Sequence, residues 1–195
     1  MSPTHVSHAV STPPAARGLL AFMEERGLSG HSFRVCHLTA AVCRRMGVSS
    51  RPTEVITTAA LLHDVGKLAI PSSILDQPGR LSERDWELVR DHAVIGERTL
   101  RLIRGLEATA PLVRHSHERV DGFGYPDGLV GSLIPLGSRI ISACDTWDAM
   151  TSDRPYRTAM SREAALDALI ASAGAQLDVD VVAALVTVLT RESVS

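Results

Sequence analysis

The sequence predicts an all-α fold, a helical bundle, on three grounds. Apolar residues recur at three- and four-residue spacing along most of the chain. The alternating pattern of half-buried strands is nearly absent, and only 4% of the 195 residues are aromatic. Glycines, prolines and capping residues fall where those periodic stretches begin and end.

The elements follow in order. Residues 1–14, rich in Ser, Thr and Pro and without periodicity, predict a disordered lead-in. Ala15 to Arg26 sets Leu19, Leu20, Phe22 and Met23 along one helical stripe and ends at Gly27. His31 to Met46 repeats Val35, Leu38, Val42 and Met46 at helical spacing, stopped by Gly47. Pro52 and Thr53 open a strongly apolar helix through Ile56, Ala59, Ala60 and Leu62, which finishes near His63-Asp64 with Gly66 as its stop. Ser82-Glu83-Arg84-Asp85 has the pattern of a capping box and opens a long helix with Trp86, Val89 and Ala93 turned inward. A further helix runs to about His117. The stretch from Asp121 to Leu136 holds four glycines and two prolines and predicts a loop. Helices over Ser138–Thr151, Ser161–Ser172 and Asp180–Arg191 close a single domain spanning 15–195, with no room for an attached sensor or receiver.

Composition narrows the function classes. A net charge of −2 argues against a dedicated nucleic-acid binder, which would carry a basic excess. The three cysteines form no CxxC pair, and Cys36 and Cys43 share a helix face as small apolar groups, which fits a reducing compartment. No apolar run reaches membrane-spanning length, and the first residues lack the pattern of a signal peptide. The expectation is a soluble, cytoplasmic protein.

The positive charge is almost entirely arginine; the one lysine is Lys67, closing the string His63-Asp64-Val65-Gly66-Lys67. An ammonium is a compact point charge, whereas a guanidinium is a planar fork, so a lone lysine beside a His-Asp pair suits one phosphate oxygen near a bound cation. The other chemistry-bearing residues sit at landmarks. His31 starts a helix, His63 and Asp64 end one, His92 lies in mid-helix, His117 ends another, and Asp145 interrupts an apolar run. An unpaired carboxylate in such a run is costly to bury, and a cation or an arginine would satisfy it. Each of these residues taken singly is more often structural than a ligand; as a set, imidazoles and carboxylates without thiolates suit Fe, Mn or Zn in a site open to water. At a helix end neighbouring side chains can converge, and a carboxylate such as Asp64 can bridge two ions and trap a hydroxide between them.

These residues resemble the signature of the HD-domain metal-dependent phosphohydrolases: His31, then His63-Asp64, then Asp145. The loop His117-Glu118-Arg119-Val120-Asp121-Gly122-Phe123-Gly124-Tyr125-Pro126 resembles the motif of the HD-GYP subgroup. Gln77-Pro78-Gly79-Arg80-Leu81, Asp148-Ala149-Met150 and Ser152-Asp153-Arg154-Pro155-Tyr156-Arg157 match it in order and spacing. The resemblance implies a helical bundle around two divalent metals, iron or manganese. His31, His63, Asp64 and Asp145 would form the basic set, and His92 and His117 would complete a second site, with Asp64 bridging. It also implies that Tyr125, Asp148, Arg154 and Arg157 contact a nucleotide, and that Asp64 and Lys67 serve catalysis. Two positions depart from the family. Ser116 stands where a second histidine ligand is usual, and Gly27 where three-metal members have a glutamate.

The implied activity is hydrolysis of the bacterial second messenger cyclic di-GMP to linear pGpG, or on to GMP, by a metal-bridging hydroxide. The implied partners are the cyclic dinucleotide and either a signalling protein or a second copy, with neither nucleic acid nor membrane. Two other readings stay open: another HD-type nucleotide phosphohydrolase, or a catalytically impaired cyclic-dinucleotide-binding protein. A glycine-rich turn and a solvated arginine pair are the plain structural alternatives for the loop and for Arg154 and Arg157.

Overall fold

The computed structural model describes residues 12–77, 79–153 and 158–192, and they fold as helices with only isolated bridging pairs between extended residues. The lead-in expected over 1–14 lies outside them as far as Ser11, and Pro14 already begins the first helix. Arg154 and Arg157 also lie outside.

The order is α1 (Pro14–Glu25), α2 (Ser29–Arg45), α3 (Ser50–Leu62), a 3₁₀ turn (Val65–Ala69) and a short α4 (Ser72–Leu75). Then come α5 (Glu83–Arg90), α6 (His92–Arg101), α7 (Ala110–Arg114), a second 3₁₀ turn (Gly131–Leu133), α8 (Leu136–Thr151), α9 (Arg162–Ala171) and α10 (Val179–Glu192). Helix α2 is the hub, packing against α3, α8 and α10. Its Val35, Val42 and Cys43 meet a core that includes Leu61, Leu62, Ile140, Ile141, Cys144 and Leu185, all essentially inaccessible. A buried leucine or isoleucine side chain contributes about 1.5–3 kcal/mol, so Leu61 and Leu62 fix firmly the point where α3 hands over to His63. All three cysteines are buried and unpaired, and burial raises their thiol pKa values, Cys43 to about 11 and Cys36 to about 12. They pack as apolar groups, as expected.

Ser82 does cap α5: its hydroxyl accepts from the Asp85 backbone N–H and donates to the Asp85 carboxylate. Three expectations are corrected. The long helix from Ser82 breaks at Asp91, so His92 is the first residue of α6 and not a mid-helix residue. Trp86 does not turn inward; it stays 47% exposed on a helix with no buried residue. Gly66 does not stop α3, which ends at Leu62, and its φ is not positive. Gly66 instead permits contact. A β-carbon there would overlap the carbonyl oxygen of His92 and stand 2.8 Å from the backbone nitrogen of Gly96. The 3₁₀ turn carrying Lys67 can therefore lie directly on the first turn of α6.

That contact yields a prediction. Gly66→Ala should destabilise the fold by about 3 kcal/mol or more, because the clash is with backbone and no side chain can move aside. Chemical denaturation measures it; a wild-type midpoint in the variant would show that this packing is loose.

Candidate metal centre

Five separate segments deliver the candidate ligands to one cleft. His31 lies in the first turn of α2, His63 and Asp64 follow α3, His92 opens α6, His117 follows α7, and Asp145 sits on the face of α8 that meets α2. The cleft encloses about 580 Å³, and Gly27, His31, Asp64, Lys67, His117 and Asp145 are among its walls. Two sets of three donors form within it. In each set, His31 with His63 and Asp145, and Asp64 with His92 and His117, the donor atoms lie within 4.8 Å of one another.

The local chain fixes which imidazole nitrogen faces the cleft. His63 donates from Nδ1 to the carbonyl of Ala60 at 2.8 Å, and His92 donates from Nδ1 to Val89 at 2.5 Å. Both acceptors lie three residues upstream, so the helix ends themselves assign the tautomer and leave each Nε2 with its lone pair. The Nε2 atoms of His92 and His117 approach to 2.9 Å. Burial, reinforced by His92, pushes His117 down to about 3, and burial lowers His92 too, so both imidazoles are neutral, as ligation requires.

Asp64 is almost fully buried. Its Oδ2 accepts from the Lys67 ammonium at 2.7 Å. Its Oδ1 has no hydrogen-bond partner and lies 3.7 Å from His63 Nε2 and 3.6 Å from His92 Nε2. Burial would raise its pKa, but Lys67 and then the surrounding histidines hold it well below the usual carboxylate range. A buried, ionised oxygen without a donor is expensive, and a divalent cation between it and the inward Nε2 atoms satisfies all of them. The donor set thus fits divalent metal on this structure's own chemistry.

His31 is held differently. Its Nε2 lies 3.0 Å from Asp145 and its Nδ1 2.6 Å from Asp148, and although burial opposes it, these two carboxylates push its pKa up to about 9. Asp148 is itself gripped by Arg34, at 2.6 Å to Nε and 2.9 Å to Nη2, and Arg34 also reaches the Ser152 hydroxyl. Asp148, expected at the nucleotide, therefore aims its carboxylate at the outer nitrogen of His31. Metal-ligating histidines are oriented in the same way by a carboxylate on the far nitrogen.

Tyr125 stacks on His117, with ring centroids 5.1 Å apart and planes 13° from parallel. Glu118, whose role the residue pattern did not suggest, accepts from the backbone N–H groups of Asp127 and Leu129 and closes the loop on itself. Gly124 permits this, because a β-carbon there would lie 2.5 Å from Glu118 Cα. Ser116 is buried and donates to Val113, while His115 turns to Asp127 at 2.9 Å, outside the donor set. Gly27 offers the cleft only backbone, at a φ of 69°. Arg34 is the other residue missed. Its signal was available: His31 and Arg34 on α2, like Asp145 and Asp148 on α8, are three residues apart and share a face.

A family model described as HD domain matches residues 18–181. The chain is 41% identical over 154 residues to a cyclic di-GMP phosphodiesterase response regulator, RpfG, of Xanthomonas campestris, covering 78% of this chain and 41% of that protein. It is 38% identical over 157 residues to the 3′3′-cGAMP-specific phosphodiesterase 3 of Vibrio cholerae, covering 80% of this chain and 34% of that one. It therefore spans less than half the length of these relatives. Among solved structures, the HD domain of the L. monocytogenes phosphodiesterase PgpH in complex with cyclic-di-AMP superposes with a TM-score of 0.65 at 14% identity, over 91% of this chain and 96% of that one. This likeness speaks to the fold.

Proposed function

This chain belongs to the HD-domain family, and on that premise we propose that it is a metal-dependent phosphodiesterase that opens cyclic di-GMP to linear pGpG, or on to GMP. The observation that carries this reading is the orphaned Asp64 oxygen at the meeting point of two histidine sets, beside the loop of His117 and Tyr125. In the proposed reaction one P–O3′ bond breaks. Water supplies the hydroxyl to phosphorus and the proton to the departing 3′ oxygen.

His31, His63 and Asp145 would hold one divalent ion and Asp64, His92 and His117 a second, with iron or manganese the candidates because the donors are imidazole and carboxylate. Ions held there supply Lewis acidity toward a phosphoryl oxygen and lower the pKa of water. The chain's own groups do the rest. Asp148, braced by Arg34, holds His31 with its Nε2 toward the cleft. Lys67 neutralises Asp64 and lines the same wall, so its ammonium can donate to a phosphate oxygen as negative charge develops. Tyr125 gives the cleft an aromatic wall, and Arg154 and Arg157 are proposed contacts to the phosphates by family resemblance. The substrate, an intracellular messenger, accords with a cytoplasmic location; among the described residues no helix is long and apolar enough to cross a membrane.

The similarity to a 3′3′-cGAMP-specific enzyme favours a second substrate within the same class, so the test compares the two. Protein purified anaerobically and loaded with Fe²⁺ or Mn²⁺ should convert cyclic di-GMP, or 3′3′-cGAMP, to the linear 5′-phosphorylated dinucleotide, and chelation should stop it. Turnover of phosphomonoesters alone would favour another HD phosphohydrolase. Fully metal-loaded protein that binds a cyclic dinucleotide without cleaving it would favour the binding-protein reading.

A further inference from the structure

Among the described residues, Trp86 is the one large aromatic side chain that borders three adjoining clefts: the metal cleft, the hollow beside Tyr125, and an annex of about 700 Å³. It is about half exposed, although the sequence pattern predicts it as a core residue. An exposed indole on the wall of a cleft presents a flat apolar face on which a ligand can stack, and stacking would recover the burial that the fold leaves unused. The annex joins the metal cleft at Leu28, Lys67, Trp86 and Val89. A group entering it can therefore be joined to a phosphate that lies against Lys67. Its floor is apolar, with Leu28, Ile74 and Leu81, and its rim carries Arg26 and Arg80. Arg26 is tethered to the carbonyl of Ile70 at 3.1 Å, and Arg90 lies 6.0 Å from the Trp86 ring centroid and 5.7 Å from that of Tyr125, linking the two aromatic walls.

A flat apolar body with polar edges, joined to a phosphate, matches this shape: a purine nucleotide. We propose that the annex is a nucleobase subsite in which a purine stacks on Trp86, while Arg80 at the rim reads the N7/O6 edge that guanine presents to a guanidinium fork. The inference deepens the phosphodiesterase reading and rests on it for the identity of the attached phosphate. It also explains why α5, which buries nothing, carries a tryptophan.

The test uses two readouts on the metal-loaded full chain. Stacking quenches indole fluorescence. GMP should therefore quench the wild-type emission, ribose 5-phosphate should not, and Trp86→Phe should lose that quench because the remaining tryptophan, Trp147, is buried away from the annex. In steady-state kinetics Trp86→Ala should raise KM for cyclic di-GMP by at least about fivefold with kcat little changed, and Trp86→Phe should restore most of the affinity. Melting temperatures of both variants should match wild type, since the side chain is not in the core. Quenching equal for GMP and ribose 5-phosphate, or an unchanged KM in Trp86→Ala, would overturn the subsite. Wild-type protein that cleaves no cyclic dinucleotide but shows GMP-specific quenching would remove the phosphodiesterase reading and leave the base subsite standing.

Discussion

Asp64→Ala should release bound metal and abolish turnover together, while the helical bundle stays intact. The two oxygens of Asp64 face different groups: Lys67 at 2.7 Å, and the inward Nε2 atoms of His63 and His92 at 3.7 and 3.6 Å. Removing an outer partner of a metal ligand already costs 10–100-fold in affinity or activity, so losing a carboxylate between two imidazole sets should cost more than about a hundredfold. The stability pattern separates this from unfolding. Added Mn²⁺ should raise the melting temperature of wild type, because it binds only the folded state, and should leave the variant unmoved. The metal-free variant should be about as stable as metal-free wild type, since the substitution removes a buried charge along with the ion pair. Metal analysis per chain, circular dichroism and thermal melts with and without Mn²⁺ read all three. Full metal and full turnover in Asp64→Ala would end the case for Asp64 as a shared ligand.

Most of the histidines and aspartates of this centre could be read from sequence because they mark a helix end or, like Asp145, interrupt an apolar stretch; His92, placed in mid-helix by periodicity, is the exception. His63-Asp64 is the clearest instance: Leu61 and Leu62 end the apolar run, and the polar pair that follows has to face a cleft or water. What could not be read depends on contacts between distant segments. The helix break at Asp91 leaves no proline or glycine as a signal. It accompanies the seating of the His92 carbonyl against Gly66, some 26 residues away in sequence. Helix α5 holds no buried residue, so Trp86, placed inward by periodicity alone, is exposed. Asp148 was assigned to the nucleotide from family order, yet its partners His31 and Arg34 lie on α2, more than a hundred residues earlier. Spacing along one helix can suggest that Asp145 and Asp148 share a face. It cannot say that the facing helix presents an imidazole to both.

Lys67 offers the sharpest separation between a structural and a chemical role. Its ammonium is bonded to Asp64, yet the side chain is 25% exposed and borders both the metal cleft and the annex. If the group acts on a phosphate oxygen, Lys67→Arg should lower turnover at least about tenfold, roughly 1.4 kcal/mol of barrier, because the fork is larger and spreads its charge over a plane. Lys67→Met keeps the length, removes the charge and should be worse. Metal content should hold in both, since the histidines and Asp64 remain. The melting temperatures carry the complementary information. Without metal, Lys67→Met leaves the buried Asp64 carboxylate without its cation and should melt below wild type; with metal bound, the ions supply that charge and most of the difference should close. A lysine that only braces Asp64 predicts the opposite pairing, in which both variants keep their turnover once loaded and differ from wild type in stability alone. Near-normal turnover in metal-loaded Lys67→Met would therefore assign the lysine to the fold and remove it from the chemistry.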